Sequence, residues 1–505
     1  MSHAAASFDY AVVGGGSAGS AVARRLVEDT GATVLVLEGG GPVVPAPSLH
    51  DPARWVENIG SAFDYGYRYE PHPATHDRPH LLSRGKVLGG SGAVNALLWT
   101  RGHRADYDAW AGAGHTGWDF ESVLPLFRRS EDWEDGESRL RGAGGPVRVE
   151  RAKDLHPVAS ALIEAGMSLG MPYLDDVSPE EPEGVGPTTM NVRDGRRVNP
   201  WDAYMGPVLH EERLTVLTGA TARELVLTGG RCLGVRYALG GKPAEARADS
   251  AVILSAGAID TPGLLLRSGI GPAADLARAG VGVHTDLPGV GENLQEHPLL
   301  AGLCLEPAME LPAPNNNLEG SVAFWRSDPG VDRPDLMFVA MQVPYVSAEI
   351  AARCAVPPDG FCIVPGLSRP RSRGRLWLDC DGEVRVQPNM LEVEADATAL
   401  LRGVDIGLDL ASRPGFRRIA GRQVVPEPGA TRSEKVAFLR DAAMPYLHPV
   451  GTCAMGPVVD AQLRVHGVEG LRIADASVMP EIVSTYPHAT TVMIGEFAGA
   501  LLAAG

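Results

Sequence analysis

The chain opens with Phe8-Asp-Tyr-Ala-Val-Val13, a short and mostly apolar stretch of the kind that forms a buried strand, and it runs straight into Gly14-Gly-Gly-Ser-Ala-Gly19. A helix is predicted to follow. Ala18, Ala21, Val22 and Leu26 recur at helical spacing, Arg24, Glu28 and Asp29 fall on the wet side, and Thr30-Gly31 ends the run. A second apolar strand, Thr33 to Leu37, stops at Glu38.

Further on, Asp106 to Arg129 reads as helical, Gly142 to Glu150 as a strand, and Pro157 to Gly170 as a helix with Val158, Leu162, Ile163 and Ala165 on one face. Leu214 to Leu227 reads as strand, turn, strand, and Ala251 to Ala256 as a buried strand. From about residue 300 the texture changes. Ser321–Trp325, Leu336–Ala340, Phe361–Val364 and Arg375–Leu378 are strand-like and predict a mainly antiparallel sheet, with Asp396 to Leu410 as a helix on it. An almost wholly apolar helix is predicted from His488 to Ala504.

The glycines of the first loop have separable tasks. Gly14 permits a tight turn, Gly16 lets a pyrophosphate approach the backbone, Gly19 lets helix and strand pack closely, and the helix start offers free N–H groups to phosphate. Glu38, nineteen residues beyond Gly19, stands where a carboxylate binds both hydroxyls of an adenosine ribose. A carboxylate there disfavours a ribose phosphate, which leaves FAD or NAD rather than NADP.

With 505 residues the chain exceeds one compact core, so two joined domains are expected. A formal charge of −17 argues against nucleic acid or an anionic membrane surface as partner. The six cysteines contain no C-x-x-C pair, a reduced cytosolic pattern without a zinc site, and no metal is expected. His76 and His80 are separated by Pro79 and read as solvated loop histidines. Met1 to Ser7 lacks a secretion signal, and no apolar run is long enough to span a bilayer. Pro42 to Tyr69, with Trp55, Phe63, Tyr65 and Tyr67, reads as a surface excursion.

A second glycine loop, Arg84-Gly-Lys-Val-Leu-Gly-Gly-Ser-Gly-Ala-Val-Asn95, can press its backbone against a flat ring or phosphate, with Ser91 and Asn95 supplying hydrogen bonds. Together with the first strand–helix unit, it resembles the glucose–methanol–choline (GMC) oxidoreductase family. Gly257 to Gly271 is similar to the family's second motif, and Gly289-Val-Gly-Glu-Asn-Leu-Gln-Glu-His-Pro298 to its next block. His448-Pro-Val-Gly-Thr-Cys453 and Gly470 to Pro480 continue the likeness in the family's order.

The resemblance implies an α/β fold: a Rossmann-like FAD-binding domain (residues 1–45, 84–145, 200–300 and 445–505) with a second α+β substrate domain built on a mainly antiparallel sheet. That second domain, with surface excursions, takes residues 46–83, 146–199 and 301–444. The implied FAD contacts are Gly14, Gly16, Ser17, Ala18, Gly19, Glu38, Gly90, Ser91, Asn95, Ala96, Leu97, Leu98, Ala222, Asp475, Ala476, His488, Ala489 and Thr490. Ala222 would face the adenine through its backbone, and Asp475 to Ser477 the pyrophosphate. Some relatives attach FAD covalently through a histidine before the motif asparagine. Val94 stands there, so non-covalent FAD is expected.

The implied reaction is oxidation of an alcohol to a carbonyl, with hydride passing to flavin N5 and a histidine accepting the hydroxyl proton. A neutral imidazole suits that role at ordinary pH. His448 matches the family's principal base and His488 its partner, which holds the substrate oxygen. Helix dipole at His488 would stabilise charge on the reduced flavin. Phe324, Trp325, Phe338 and Tyr345 are candidates for the substrate cavity, and the absence of an obvious paired cation or carboxylate suggests a neutral alcohol. An aryl or furanic primary alcohol comes first, a sugar or glycoside second. Oxygen, or a quinone or dye, would take the electrons. An FAD-containing lyase and an NAD-binding or non-enzymatic protein are the competing readings.

Overall fold

The computed structural model describes residues 6–504. Of the leader Met1 to Ser7, Met1 to Ala5 lie outside the described residues. The first sheet is built from β1 (Ala6–Val13), β2 (Val34–Glu38), β3 (Leu214–Thr218), β4 (Ala220–Thr228), β5 (Arg231–Leu239), β6 (Lys242–Leu254) and β7 (Leu471–Ile473). Its order is β3-β2-β1-β6-β5-β4, with β7 also on β6. The strands β3, β2, β1, β6 and β7 are parallel; β2 and the carboxyl halves of β1 and β6 are buried on both faces, while the edge strand β3 is half-buried. Long β6 serves two neighbours on one edge: its first half pairs antiparallel with β5 and its last three residues parallel with β7. Helix α1 (Ser17–Thr30) follows β1 directly, as the glycine pattern requires, and ends on Gly31 in the left-handed conformation.

The second sheet has eight strands in the order Ala420–Val425, Leu303–Pro307, Phe361–Leu367, Leu336–Met341, Ser321–Trp325, Gly184–Pro187, with Pro298–Leu300 and Ala443–Pro445 joined at one side. Every pairing in it is antiparallel. The predicted Arg375–Leu378 strand exists but belongs elsewhere: it forms a hairpin with Val384–Gln387, and its Leu376 and Leu378 pack into the core of the first sheet. Helix α3 (Glu394–Ala411) lies on the second sheet through Gly403 and Gly407, which face Pro365, Leu336 and Leu303. Earlier in the chain, α2 (Gly257–Arg267) follows β6 and packs into the core of the first sheet.

The single helix expected from Asp106 to Arg129 is two, Arg104–Gly112 and Phe120–Ser130, because Gly114 and Gly117 between them take positive φ. The stretch from Trp55 to Tyr69 is not a surface excursion: Trp55, Tyr65 and Tyr67 line a cavity, and Tyr69 is buried. His80 is buried too, and burial pushes its imidazole down to about 4. Helix α4 (His488–Ala503) packs along α1 so closely that a Cβ on Gly495 would stand 2.5 Å from the Ala18 carbonyl oxygen. Among the described residues, no helix is long and apolar enough to cross a membrane.

Candidate active site

One cavity of about 550 Å³ opens at the carboxyl ends of the parallel strands, against Val13, Leu37, Glu38, Ser255 and Asp475, and runs on to the second sheet, against Leu299, Val339, Met341 and Val364. That is where an open α/β sheet places a ligand. Both glycine loops reach it, and they touch: a Cβ on Gly90 would lie 2.9 Å from the Gly16 Cα. Gly92 is hemmed in further, since its Cβ would meet Ser17 Oγ at 2.5 Å, Pro200 at 2.6 Å and His488 Nε2 at 2.8 Å. A Cβ on Gly19 would run into the Gly14 carbonyl oxygen, so its hydrogen is what brings α1 onto β1.

At one end, Glu38 is held by two backbone donors, Gly15 N–H to Oε2 at 2.8 Å and Gly40 N–H to Oε1 at 2.6 Å. Burial nevertheless pushes its carboxyl up to about 7. Ala222, on strand β4, also lines the cavity. Tyr67 donates to both oxygens of Asp260 at 2.8 Å, and Tyr65 stacks beside it at 5.7 Å between centroids. The starts of α1 and α4 carry no side-chain cap and no acidic residue in the first turn, so their N–H groups stay available to an anion.

Ser91 accepts from Gly85 N–H at 3.2 Å, and Asn95 Oδ1 accepts from Leu97 N–H and from Arg197 Nη1. The Asp475 carboxylate is fully occupied inside the protein: Oδ2 accepts from Gly257 N–H and Thr261 Oγ1, and Oδ1 from Ser477 N–H and Oγ. It fastens the start of α2 to the loop after β7. Its side chain therefore has no donor-facing edge left for the cavity, although Asp475 and Ala476 both line it.

Gly14, Gly16, Ser17, Ala18, Glu38, Gly90, Ser91, Asn95, Ala96, Leu98, Ala222, Asp475, Ala476, His448 and His488 converge on this one cavity. Four expected contacts do not line it. Gly19 acts behind the loop; Leu97, at φ 66°, points into a small cluster with Ala152, Met190 and Val192. Ala489 is buried in the main core, and Thr490 Oγ1 is bonded to the Tyr107 hydroxyl at 2.8 Å. Helix periodicity explains the last two: one residue beyond His488 the side chain already faces another way.

The opposite end carries the candidate chemistry. His448 stacks on Tyr446, centroids 4.8 Å apart and planes within 8°, and meets Tyr486 edge-on at 5.7 Å. Its backbone N–H donates to Glu296 Oε1 at 2.6 Å, and Glu296 Oε2 accepts from Tyr69 at 2.6 Å. His448 Nδ1 lies 3.0 Å from His297 Nδ1, which leaves Nε2 for the cavity. His488 stands edge-on to Trp99 at 5.3 Å, with neither ring nitrogen bonded to protein. Burial holds His448 well below the ordinary imidazole range and His488 down to about 3, so both rings are neutral.

Of the four aromatics expected around the substrate, Tyr345 lines the cavity, while Phe324, Trp325 and Phe338 do not. Sequence reasoning missed Trp55, Tyr446, Tyr486 and, above all, Glu319. Glu319 overturns the premise that no carboxylate faces the cavity. Among the described residues its one side-chain hydrogen bond is from Asn317 Nδ2 at 3.3 Å, and burial pushes its carboxyl up to about 8. A lone acid at the start of the strand Ser321–Trp325, in Asn315-Asn-Asn-Leu-Glu319, was the available signal.

The GMC oxidoreductase family profiles match residues 8–299 and 370–495. The oxygen-dependent choline dehydrogenase of Brucella anthropi is 34% identical over 97% of this chain and 94% of its own length. The mitochondrial choline dehydrogenase of Homo sapiens is 34% identical over 98% and 89%. Among solved structures, pyridoxine 4-oxidase from Mesorbium loti superposes with a TM-score of 0.93 at 34% identity, covering 97% of this chain and 98% of that one. With both family profiles matched in order and relatives matched over nearly the whole chain, the chain belongs to the GMC oxidoreductase family of FAD-dependent enzymes acting on CH–OH groups.

Proposed function

We propose that this enzyme oxidises a primary alcohol whose body carries a basic or cationic nitrogen, with His448 taking the hydroxyl proton, His488 holding the substrate oxygen, and FAD bound without a covalent link. The observation that carries the reading is the place of His448, engaged at Nδ1 by His297 and lining the same cavity that Glu38 and the two glycine loops enter.

The residues present fit FAD. Glu38 offers its carboxylate to a ribose diol, and the uncapped start of α1 offers N–H groups to a pyrophosphate. Gly90 and Gly92 let the two loops and His488 close up beside the cavity where a Cβ would clash, and neither nitrogen of the His488 ring has a partner among the described residues. When bound, FAD supplies the hydride acceptor. Val94 lines the cavity at the attachment position and has no nucleophile to offer. The chain segments 1–45, 84–145, 200–300 and 445–505 make up the FAD-binding domain in this reading, and the remainder the substrate domain and its excursions.

The nitrogen preference rests on Glu319, a buried carboxyl next to Tyr345, Tyr446 and Tyr486. A cation beside it would restore its charge and face aromatic rings, both favourable in a dry cavity. Choline and pyridoxine, named in the relatives, are alcohols of this kind. A neutral aryl or furanic alcohol is the second reading, favoured by the same tyrosines. Oxygen is the acceptor here, as the names of the Brucella relative and the oxidase suggest, with a quinone or dye as the alternative.

The test is anaerobic mixing of the yellow holoenzyme with choline, pyridoxine and benzyl alcohol. Bleaching by a nitrogen-bearing alcohol, and its slowing by roughly 10²–10⁴-fold in His448→Ala with FAD content unchanged, is the expected result. An unbleached flavin with all three, or full-speed bleaching without His448, overturns it. Admitting air or a quinone to the bleached enzyme identifies the acceptor.

A further inference from the structure

Resting on the reading of His448 as the base, we infer that Glu296 is a positioning residue: together with Arg84 it clamps the peptide between Leu447 and His448 and so sets where the His448 ring stands. The two bonds to that peptide have only one possible direction. The His448 N–H donates to Glu296 Oε1 at 2.6 Å, and Arg84 Nη2 donates to the Leu447 carbonyl oxygen on the opposite edge of the same peptide. Glu296 is itself anchored from behind, where its Oε2 accepts from the Tyr69 hydroxyl at 2.6 Å.

The backbone explains why a clamp is needed. Tyr446 N–H donates to the His297 carbonyl oxygen at 2.8 Å, and Val450 and Gln295 exchange two backbone bonds at 3.0 Å, so Leu447-His448-Pro449 lines the cavity as a bulge between two fixed points. Pro449 confines His448 to extended conformations. The adjustable joint is Leu447, and it sits at φ 66°, a left-handed conformation that leucine rarely adopts. Turning the Leu447–His448 peptide over would return Leu447 to an ordinary φ. The turned peptide would aim its carbonyl oxygen at the Glu296 carboxyl and its N–H at the Arg84 guanidinium, and both contacts are repulsive. Such strain persists only where the surroundings over-determine it, and here they do so from both edges of one peptide. Release would also draw the His448 ring off the Tyr446 face, which it now meets at 4.8 Å between centroids.

Burial pushes the Glu296 carboxyl up to about 7 against the pull of Tyr69, the His448 N–H and Arg84, so the clamp is tested at pH 8, where Glu296 is ionised. On the FAD-loaded enzyme, anaerobic flavin reduction is followed with whichever of choline, pyridoxine and benzyl alcohol bleaches the wild type fastest. Glu296→Leu should slow it by about tenfold or more with KM and flavin content little changed, and Glu296→Gln, which keeps an oxygen for the His448 N–H, should recover most of the rate. A crystal structure of Glu296→Leu should show Leu447 at negative φ and the His448 ring turned off Tyr446. A wild-type rate in Glu296→Leu, or a ring and a φ that have not moved, overturns the inference. Should that variant fail to fold, amide exchange in ¹⁵N-histidine-labelled wild type decides: the backbone signal that vanishes in His448→Gln should exchange as slowly as core amides, and a freely exchanging one defeats the clamp. If His448→Ala is slow while Glu296→Leu is normal, the base assignment survives and only this inference falls.

Discussion

Arg25 and Glu496, 471 positions apart, meet as a two-point ion pair in the interior: Nε to Oε2 at 2.7 Å and Nη2 to Oε1 at 2.8 Å, with Tyr204 also donating to Oε1 at 2.8 Å. The pair ties α1 to α4, and the starts of both helices open on the cavity. Removing Glu496 leaves the buried Arg25 leaning on the partly exposed Glu28 at 3.1 Å, and breaking a buried pair typically costs about 3–5 kcal/mol. Glu496→Ala should therefore lower the thermal midpoint clearly and speed flavin loss on dilution. The exposed Arg54–Glu57 pair is the control, because Arg54→Ala should change neither.

Glu38→Ala removes the carboxylate that the Gly15 and Gly40 N–H groups orient. A charged hydrogen bond to a diol is worth about 1.5–3 kcal/mol, so the FAD dissociation constant should rise by roughly 10- to 100-fold. Fluorescence titration of the apoprotein with FAD measures this directly. An unchanged constant would place the ribose elsewhere.

Gly92→Ala puts a methyl group against Ser17 Oγ, Pro200 and His488 Nε2. The expected product is a folded protein, by circular dichroism, that retains little flavin after gel filtration. Wild type, in contrast, should release all of its flavin into the supernatant on acid precipitation, since Val94 cannot bond to it.

Glu319 makes stability depend on pH with a definite sign. Its carboxyl titrates near 8 when folded against 4.5 unfolded, so the folded state holds the extra proton between those values. The contribution is fully present below about pH 4.5 and is lost as pH rises towards 8, by up to about 1.4 kcal/mol per unit. Because the other titrating groups are common to both proteins, Glu319→Gln should lose less stability than wild type between pH 6.5 and 8. Denaturant midpoints at the two pH values read the difference. The same variant should discriminate less between choline and a neutral alcohol.

The nucleotide half was legible because its signals are local. A strand, a glycine turn and a helix start within a few residues of one another and need no distant partner to be recognised. Pairing in the second sheet was not legible in that way. Arg375–Leu378 looks like any other strand, yet Asp381-Gly382 turns it back on Val384–Gln387, a hairpin cue present in the sequence. Phe338 was misplaced for want of a face: Val339 and Met341 line the cavity, and alternation sends Phe338 to the other side. The burial of Glu319 and the meeting of His297 with His448 depend on chain segments far apart, which no spacing rule reports. His297 nonetheless sat in a recognisable block, Gly289 to Pro298, and lacked only a stated task.

The strand β7 lies beside β6, and α4 lies along α1. A ribosome thus finishes the opening βαβ unit long before the pieces that close its pocket have been synthesised. Until residues 471–503 emerge, the nascent polypeptide has a doorway without a back wall. Flavin capture must therefore be among the latest events in biogenesis, and the vitamin-derived ligand acts as a keystone dropped in after the arch is nearly complete.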